Sequence, residues 1–267
     1  MRLPGGRPAL QLHSLTVKAT DSRIVFALDL PNVDDARRAA LAVREAVGML
    51  KVGLELFVAA GPAAVALGRE AERPVFLDLK LCDIPETVER AVGSACALGA
   101  RILTVHASGG APMLRRAVQR AEREGTGLAI AAVTVLTSLD AEDLAQVGVA
   151  PDVGAHTLRL ARLAFDQGVR TFVCSPRELR AIRAALGADV TLITPGVRAT
   201  TEGARADDQK RVATAAQAIQ DGADWLVVGR PIRDAADPLA AARALAREAS
   251  LAGEDADLPG VSGGARS

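Results

Sequence analysis

The segment FLDLKLCDIPETV, residues 76–88, decides how the rest of the chain is read. It begins as an apolar run of strand length, yet Asp78 and Lys80 interrupt it and Asp83 follows at once. A strand buried on both faces is continuously apolar, and burying a charge without a partner costs several kcal/mol. Either this strand is exposed, or its charges sit where chemistry needs them. Side chains two apart on a strand share a face, so Asp78 and Lys80 point the same way.

Working outward, seven more short apolar runs flank this one: IVFAL (24–28), MLKVG (49–53), RILTVHA (101–107), LAIAAVTVL (128–136), TFVCS (171–175), VTLIT (190–194) and WLVVG (225–229). All are of strand length and rich in Val, Ile and Leu. Amphipathic stretches separate them. PNVDDARRAALAVREAVG offers Asn32 as an N-cap, Asp34 and Asp35 in the first turn and Gly48 as a stop. PRELRAIRAALG has Pro176 in its first turn and Gly187 at its end. The gap 137–170 has room for an extra short helix around 141–147. Alternating strand and helix means parallel strands joined by crossovers. Eight such units predict an α/β fold, a single-domain (β/α)8 TIM barrel over residues 21–250. An open doubly wound sheet is the alternative. Residues 1–20 read as a flexible extension and 251–267 as a disordered tail.

Bulk properties narrow the function classes. Of the 267 residues, 49% are hydrophobic and 24% charged, enough for a large core. Lys+Arg and Asp+Glu both number 32, so nothing in the overall charge marks a nucleic-acid or anionic-lipid partner. Three cysteines, Cys82, Cys96 and Cys174, have no C-x-x-C spacing, which argues against a disulfide framework or a structural zinc site and for a reducing cytoplasm. No run approaches the roughly 18 apolar residues of a membrane span, and the N-terminus has no continuous apolar segment of a signal peptide. Dinucleotide, Walker and zinc-helix motifs are absent.

The polar exceptions fall where such a barrel carries its chemistry, at the C-terminal ends of strands. Asp29 follows the first run, Lys51 lies late in the second, Asp78 and Lys80 end the third and His106 the fourth. Thr137 and Ser138 follow the fifth. Converging charges of alternating sign form a network in which each is held by an opposite neighbour. The loops after the last two runs read TPGVR and GRP, with Arg198, Gly229 and Arg230. These loops are the usual phosphate site of the fold, and guanidinium forks suit phosphate. His106 is expected to support the site through hydrogen bonds.

D-x-K-x-x-D-I-P after a third barrel strand resembles the orotidine 5′-phosphate decarboxylase family. FALDLP, KVGLELFVAAGP, VHASGG, AVTVLTS, TPGVR and LVVGRPI follow in that family's order, and the resemblance covers about residues 22 to 245. It implies decarboxylation of orotidine 5′-phosphate to UMP with no cofactor and no metal. Lys51, Asp78, Lys80 and Asp83 would form a charged tetrad, with Lys80 as proton donor. Asp83, Ile84 and Thr87 would enter the site from the second subunit of a homodimer. Asp29 would hold the ribose, Thr137 and Ser138 would contact the pyrimidine, and Gly229 and Arg230 would bind phosphate. Arg198 and Gln209, at the base and on the span of the loop after strand 7, would reach the ligand. The family commonly has Asn where this chain has Glu86. Two rivals remain: a sibling sugar-phosphate decarboxylase or aldolase barrel that binds Mg2+ through acidic residues on strands 2 and 3, and a non-catalytic nucleotide-binding barrel.

Overall fold

Every apolar run named above becomes a strand of one closed barrel. The computed structural model describes residues 22–198 and 213–257. In chain order the strands are β1 (Ile24–Ala27), β2 (Met49–Gly53), β3 (Val75–Leu81), β4 (Ile102–His106), β5 (Ala129–Val133), β6 (Thr171–Val173), β7 (Thr191–Thr194), β8 (Val197–Arg198), β9 (Ala213–Thr214) and β10 (Trp225–Val228). The barrel closes in the order β1-β10-β7-β6-β5-β4-β3-β2, while β8 and β9, among the described residues, pair with each other in a separate two-stranded ribbon. All barrel pairings are parallel. The open-sheet alternative is thereby excluded.

Strand alternation sorts the side chains into two layers. Ile24, Phe26, Leu50, Leu77, Leu103 and Leu192 face the surrounding helices and join the larger apolar cluster. Val25, Ala27, Met49, Phe76, Ile102, Ala131, Ile193 and Val227 fill the barrel interior. Phe26, Phe76 and Phe172 are fully buried, and each contributes about 1.5–3 kcal/mol by leaving water. Phe76 points inward, so Asp78, two residues on, points inward above it toward the mouth.

The local signals act largely as their chemistry predicts. Asn32 Oδ1 accepts the Asp35 N–H at 2.9 Å and caps the helix Val33–Val43. The extra helix is present as Ala141–Gln146, capped by Asp140. Pro176 opens a short 3-10 turn that leads into Leu179–Leu186, and Gly187 ends it. Two boundaries differ. The first helix stops at Val43, well short of Gly48. Gly48 serves a close approach instead: a Cβ there would lie 2.2 Å from the Ser22 carbonyl oxygen and 2.8 Å from the Trp225 ring. The closing helix, Pro238–Asp257, runs past the end expected at residue 250, because the Ala- and Glu-containing stretch there favours helix. The expected extension 1–20 and the tail beyond 257 lie outside the described residues.

Candidate active site

Three strand ends, those of β1, β2 and β3, deliver one row of four charges. Lys51 Nζ lies 3.0 Å from Asp29 Oδ1 and 3.6 Å from Asp78 Oδ2. Lys80 Nζ donates to both Asp78 oxygens at 2.8 Å. The row runs Asp29, Lys51, Asp78, Lys80, with signs alternating. The side chains of Lys51 and Asp78 are 11% exposed, Lys80 29% and Asp29 47%, so the inner pair is shielded while Lys80 and Asp29 face the mouth. Gly53 makes room for it: a Cβ there would sit 3.1 Å from Lys51 Nζ and 3.3 Å from Asp29 Oδ1.

Burial alone would push the Asp78 carboxyl up. The ammonium groups of Lys51 and Lys80, with hydrogen bonds from Lys80 and Thr104, outweigh it and hold the carboxyl below its ordinary value. Asp78 is therefore an anion at neutral pH. His106 sits at the end of β4 beside this row; burial, then the Lys80 charge, depress its pKa, and Asp78 opposes them only in part. The imidazole is accordingly neutral near pH 7.

The backbone under the lysine is unusual. Lys80 has φ +51°, in the left-handed region that costs a non-glycine residue of order 1–3 kcal/mol. Leu77 pairs with Leu103 and Leu81 with Val105, so Asp78, Leu79 and Lys80 stand opposite Thr104 alone. This is a bulge, a device that re-aims side chains at barrel rims. Thr104, fully buried, accepts the Lys80 N–H at 2.8 Å and donates to Asp78 Oδ1 at 3.0 Å. Sequence reading missed it, because a threonine inside a strand looks like ordinary β-propensity.

The other expected residues divide into two groups. Thr137 and Ser138 lie in the turn after β5, half-buried and exposed respectively. Gly229 precedes the short helix Arg230–Arg233, and a Cβ on Gly229 would approach Asp29 Oδ2 to 3.6 Å, so the β1 and β10 ends meet. Arg230 is exposed on that helix, and Arg233 ties it to β1 by donating to the Asp29 carbonyl oxygen at 3.0 Å. Gly196 adopts φ +79°, which explains a glycine in the TPGVR turn. Arg198 ends β8, and Gln209 lies outside the described residues. Asp83 is not brought to the row: its carboxylate accepts the Ile84 N–H at 2.6 Å, and among the described residues no ion pair joins it to Lys51 or Lys80. Asp83, Ile84 and Thr87 are exposed, with Ile84 at 66%. Glu86 also faces solvent and pairs with Arg90 one helical turn on. Among the described residues no three His, Cys, Asp or Glu side chains group closely enough to hold a metal ion.

The sequence matches the family described as Orotidine 5′-phosphate decarboxylase / HUMPS over residues 22–245. The chain belongs to this family. A relative from Anaeromyxobacter sp. (strain K) named orotidine 5′-phosphate decarboxylase is 57% identical over 224 residues, covering 84% of this chain and 96% of that protein. Another so named, from Thermobifida fusca (strain YX), is 52% identical over 231 residues, covering 86% and 97%. A solved structure of orotidine 5′-phosphate decarboxylase from Lactobacillus acidophilus is 31% identical, with TM-score 0.74 over 85% of this chain and 99% of that one.

Proposed function

We infer that this chain decarboxylates orotidine 5′-phosphate to UMP in pyrimidine synthesis, without metal or organic cofactor. The observation that carries the chemistry is the row Asp29–Lys51–Asp78–Lys80, an ammonium pinned by a buried carboxylate at the barrel mouth. When the bond from C6 to the carboxyl carbon breaks, its electron pair stays on C6 and CO2 leaves. No π-system delocalises that pair, so the stabilisation must be electrostatic. Lys80 faces the developing charge and then transfers a proton to C6, and water restores the ammonium. Asp78 lies beside the departing carboxylate and holds Lys80; Lys51 holds Asp78.

Magnitudes rank these effects. Two like charges 4 Å apart at an effective dielectric near 20 repel by about 4 kcal/mol. Large enzymatic accelerations need on the order of 20 kcal/mol. Repulsion of the substrate carboxylate is therefore a minor contribution, and preorganised Lys80 together with remote phosphate binding carries more. In this reading Gly229 and Arg230 hold the phosphate, with Arg198 and Gln209 from the loop after β7. Asp29 takes the ribose hydroxyls, and Thr137 and Ser138 the pyrimidine.

The exposed Asp83, Ile84 and Thr87 belong, in the same reading, to the second site of a homodimer. That assignment is supported by their exposure beside the mouth and by Asp83 lying outside its own chain's row. A reducing cytoplasm fits the three free cysteines; among the described residues no helix is long and apolar enough to cross a membrane. The Mg2+-dependent sibling reading calls for an acidic residue on strand 2, where this chain carries the Lys51 ammonium, 3.0 Å from Asp29 Oδ1 and 3.6 Å from Asp78 Oδ2. The test is loss of orotidine 5′-phosphate absorbance on adding pure protein, with and without chelator. Turnover that survives EDTA supports the reading. Turnover abolished by EDTA would favour the sibling barrel, and tight UMP binding with no turnover the non-catalytic one.

A further inference from the structure

The bulge in β3 needs something to hold it. Lys80 lies in the register break of the ladder, where its N–H donates to a side chain, and its backbone sits in a conformation that a lysine does not choose for itself. A buried N–H without an acceptor is rare in native proteins. The acceptor here is a side chain: Thr104 Oγ1, 2.8 Å away, whose own O–H donates a hydrogen bond to Asp78 Oδ1 at 3.0 Å. One hydroxyl therefore fixes both the backbone of the lysine and the carboxylate that grips its ammonium. Ile102 and His106 flank Thr104 two residues away on either side, so it shares their inward face.

We propose that Thr104 is a positioning residue for the decarboxylation, its hydroxyl locking the left-handed Lys80 and the Asp78 carboxylate into the geometry that aims the ammonium at the reacting carbon. This inference rests on the role given to Lys80 above. Thr104 touches no substrate atom in this account; it acts through its two neighbours. Valine has the same shape but neither donates nor accepts, and serine keeps the hydroxyl and loses only a methyl.

The experiment compares Thr104→Val, Thr104→Ala and Thr104→Ser with the wild type in kcat, in KM for orotidine 5′-phosphate and in Kd for UMP. Misaiming a reactive group by about 1 Å costs on the order of a hundredfold in rate. Thr104→Val is expected to lose about ten- to a hundredfold in kcat while the UMP Kd stays within about threefold, since the phosphate and ribose contacts are intact. Thr104→Ala, which adds no methyl against the carboxylate, is the second variant should valine hinder folding, and the same loss is expected of it. Thr104→Ser is expected to recover most of the rate. A kcat within about twofold of wild type in folded Thr104→Val or Thr104→Ala would overturn the proposal. So would a serine variant as slow as the valine one, which would mean that packing alone is at work. Lys80→Ala run alongside keeps the two readings apart. Near-normal turnover there overturns the role of Lys80 and this inference with it; an inactive Lys80→Ala beside fully active Thr104 variants overturns this inference alone.

Discussion

Replacing Asp78 by asparagine keeps the shape of the side chain and removes its charge. The carboxylate lies 2.8 Å from Lys80 Nζ and 3.6 Å from Lys51 Nζ. At an effective dielectric near 20 these contacts are worth about 6 and about 5 kcal/mol of Coulomb energy before desolvation is subtracted. Removing one partner of such a buried pair typically costs about 3–5 kcal/mol net. Two ammonium groups then face each other with only the open Asp29 to balance them, and Lys80 swings toward solvent. If about 4 kcal/mol of that holding energy is lost at the transition state, the rate falls roughly a thousandfold. Affinity moves the other way or not at all, because the substrate carboxylate no longer meets a like charge. The assay is steady-state decarboxylation followed by absorbance, with UMP Kd as a check on the folded site. An Asp78→Asn variant that keeps kcat within about tenfold of wild type would refute the reasoning.

Other outcomes test separate parts of the account. If Asp83 serves the partner's site, Lys80→Ala and Asp83→Asn, each nearly inactive alone, should regain about a quarter of wild-type activity when subunits exchange freely, because hybrid dimers contain one intact site; no recovery in verified hybrids would place Asp83 in its own chain's site. His106 is depressed below the ordinary 6.5 by burial and Lys80, so the unfolded chain takes up a proton before the folded one does. Stability should fall as pH drops from about 6.5 toward the folded pKa, and urea midpoints at pH 7.5 and 5.5 should differ less in His106→Gln than in the wild type. Arg230→Ala should weaken phosphate-bearing substrates most; equal losses on orotidine itself would count against its phosphate contact.

How much of this was legible in the residues depends on what a pattern can carry. The barrel strands were legible because parallel strands covered on both faces must be continuous apolar runs, and the charges stood out because they broke those runs. Lys51, Asp78 and Lys80 were readable for that reason. Thr104 was not, since a hydroxyl on a β-branched frame satisfies the strand pattern it serves. Nor was the left-handed Lys80, because no glycine or asparagine marks the position. Gly48 was misread because the same residue type ends helices and permits close approach; the Ser22 carbonyl oxygen and the Trp225 ring, both distant in sequence, tell which applies. The ribbon of β8 and β9 was silent because two-residue strands have no period to detect.

The claim beneath all of this concerns one amine. Decarboxylation of orotidine 5′-phosphate by pure Lys80→Ala protein, measured in a single turnover with enzyme in excess, tests it most directly. The account predicts a rate lower by at least about a thousandfold with UMP still bound. A rate near that of the wild type would contradict it.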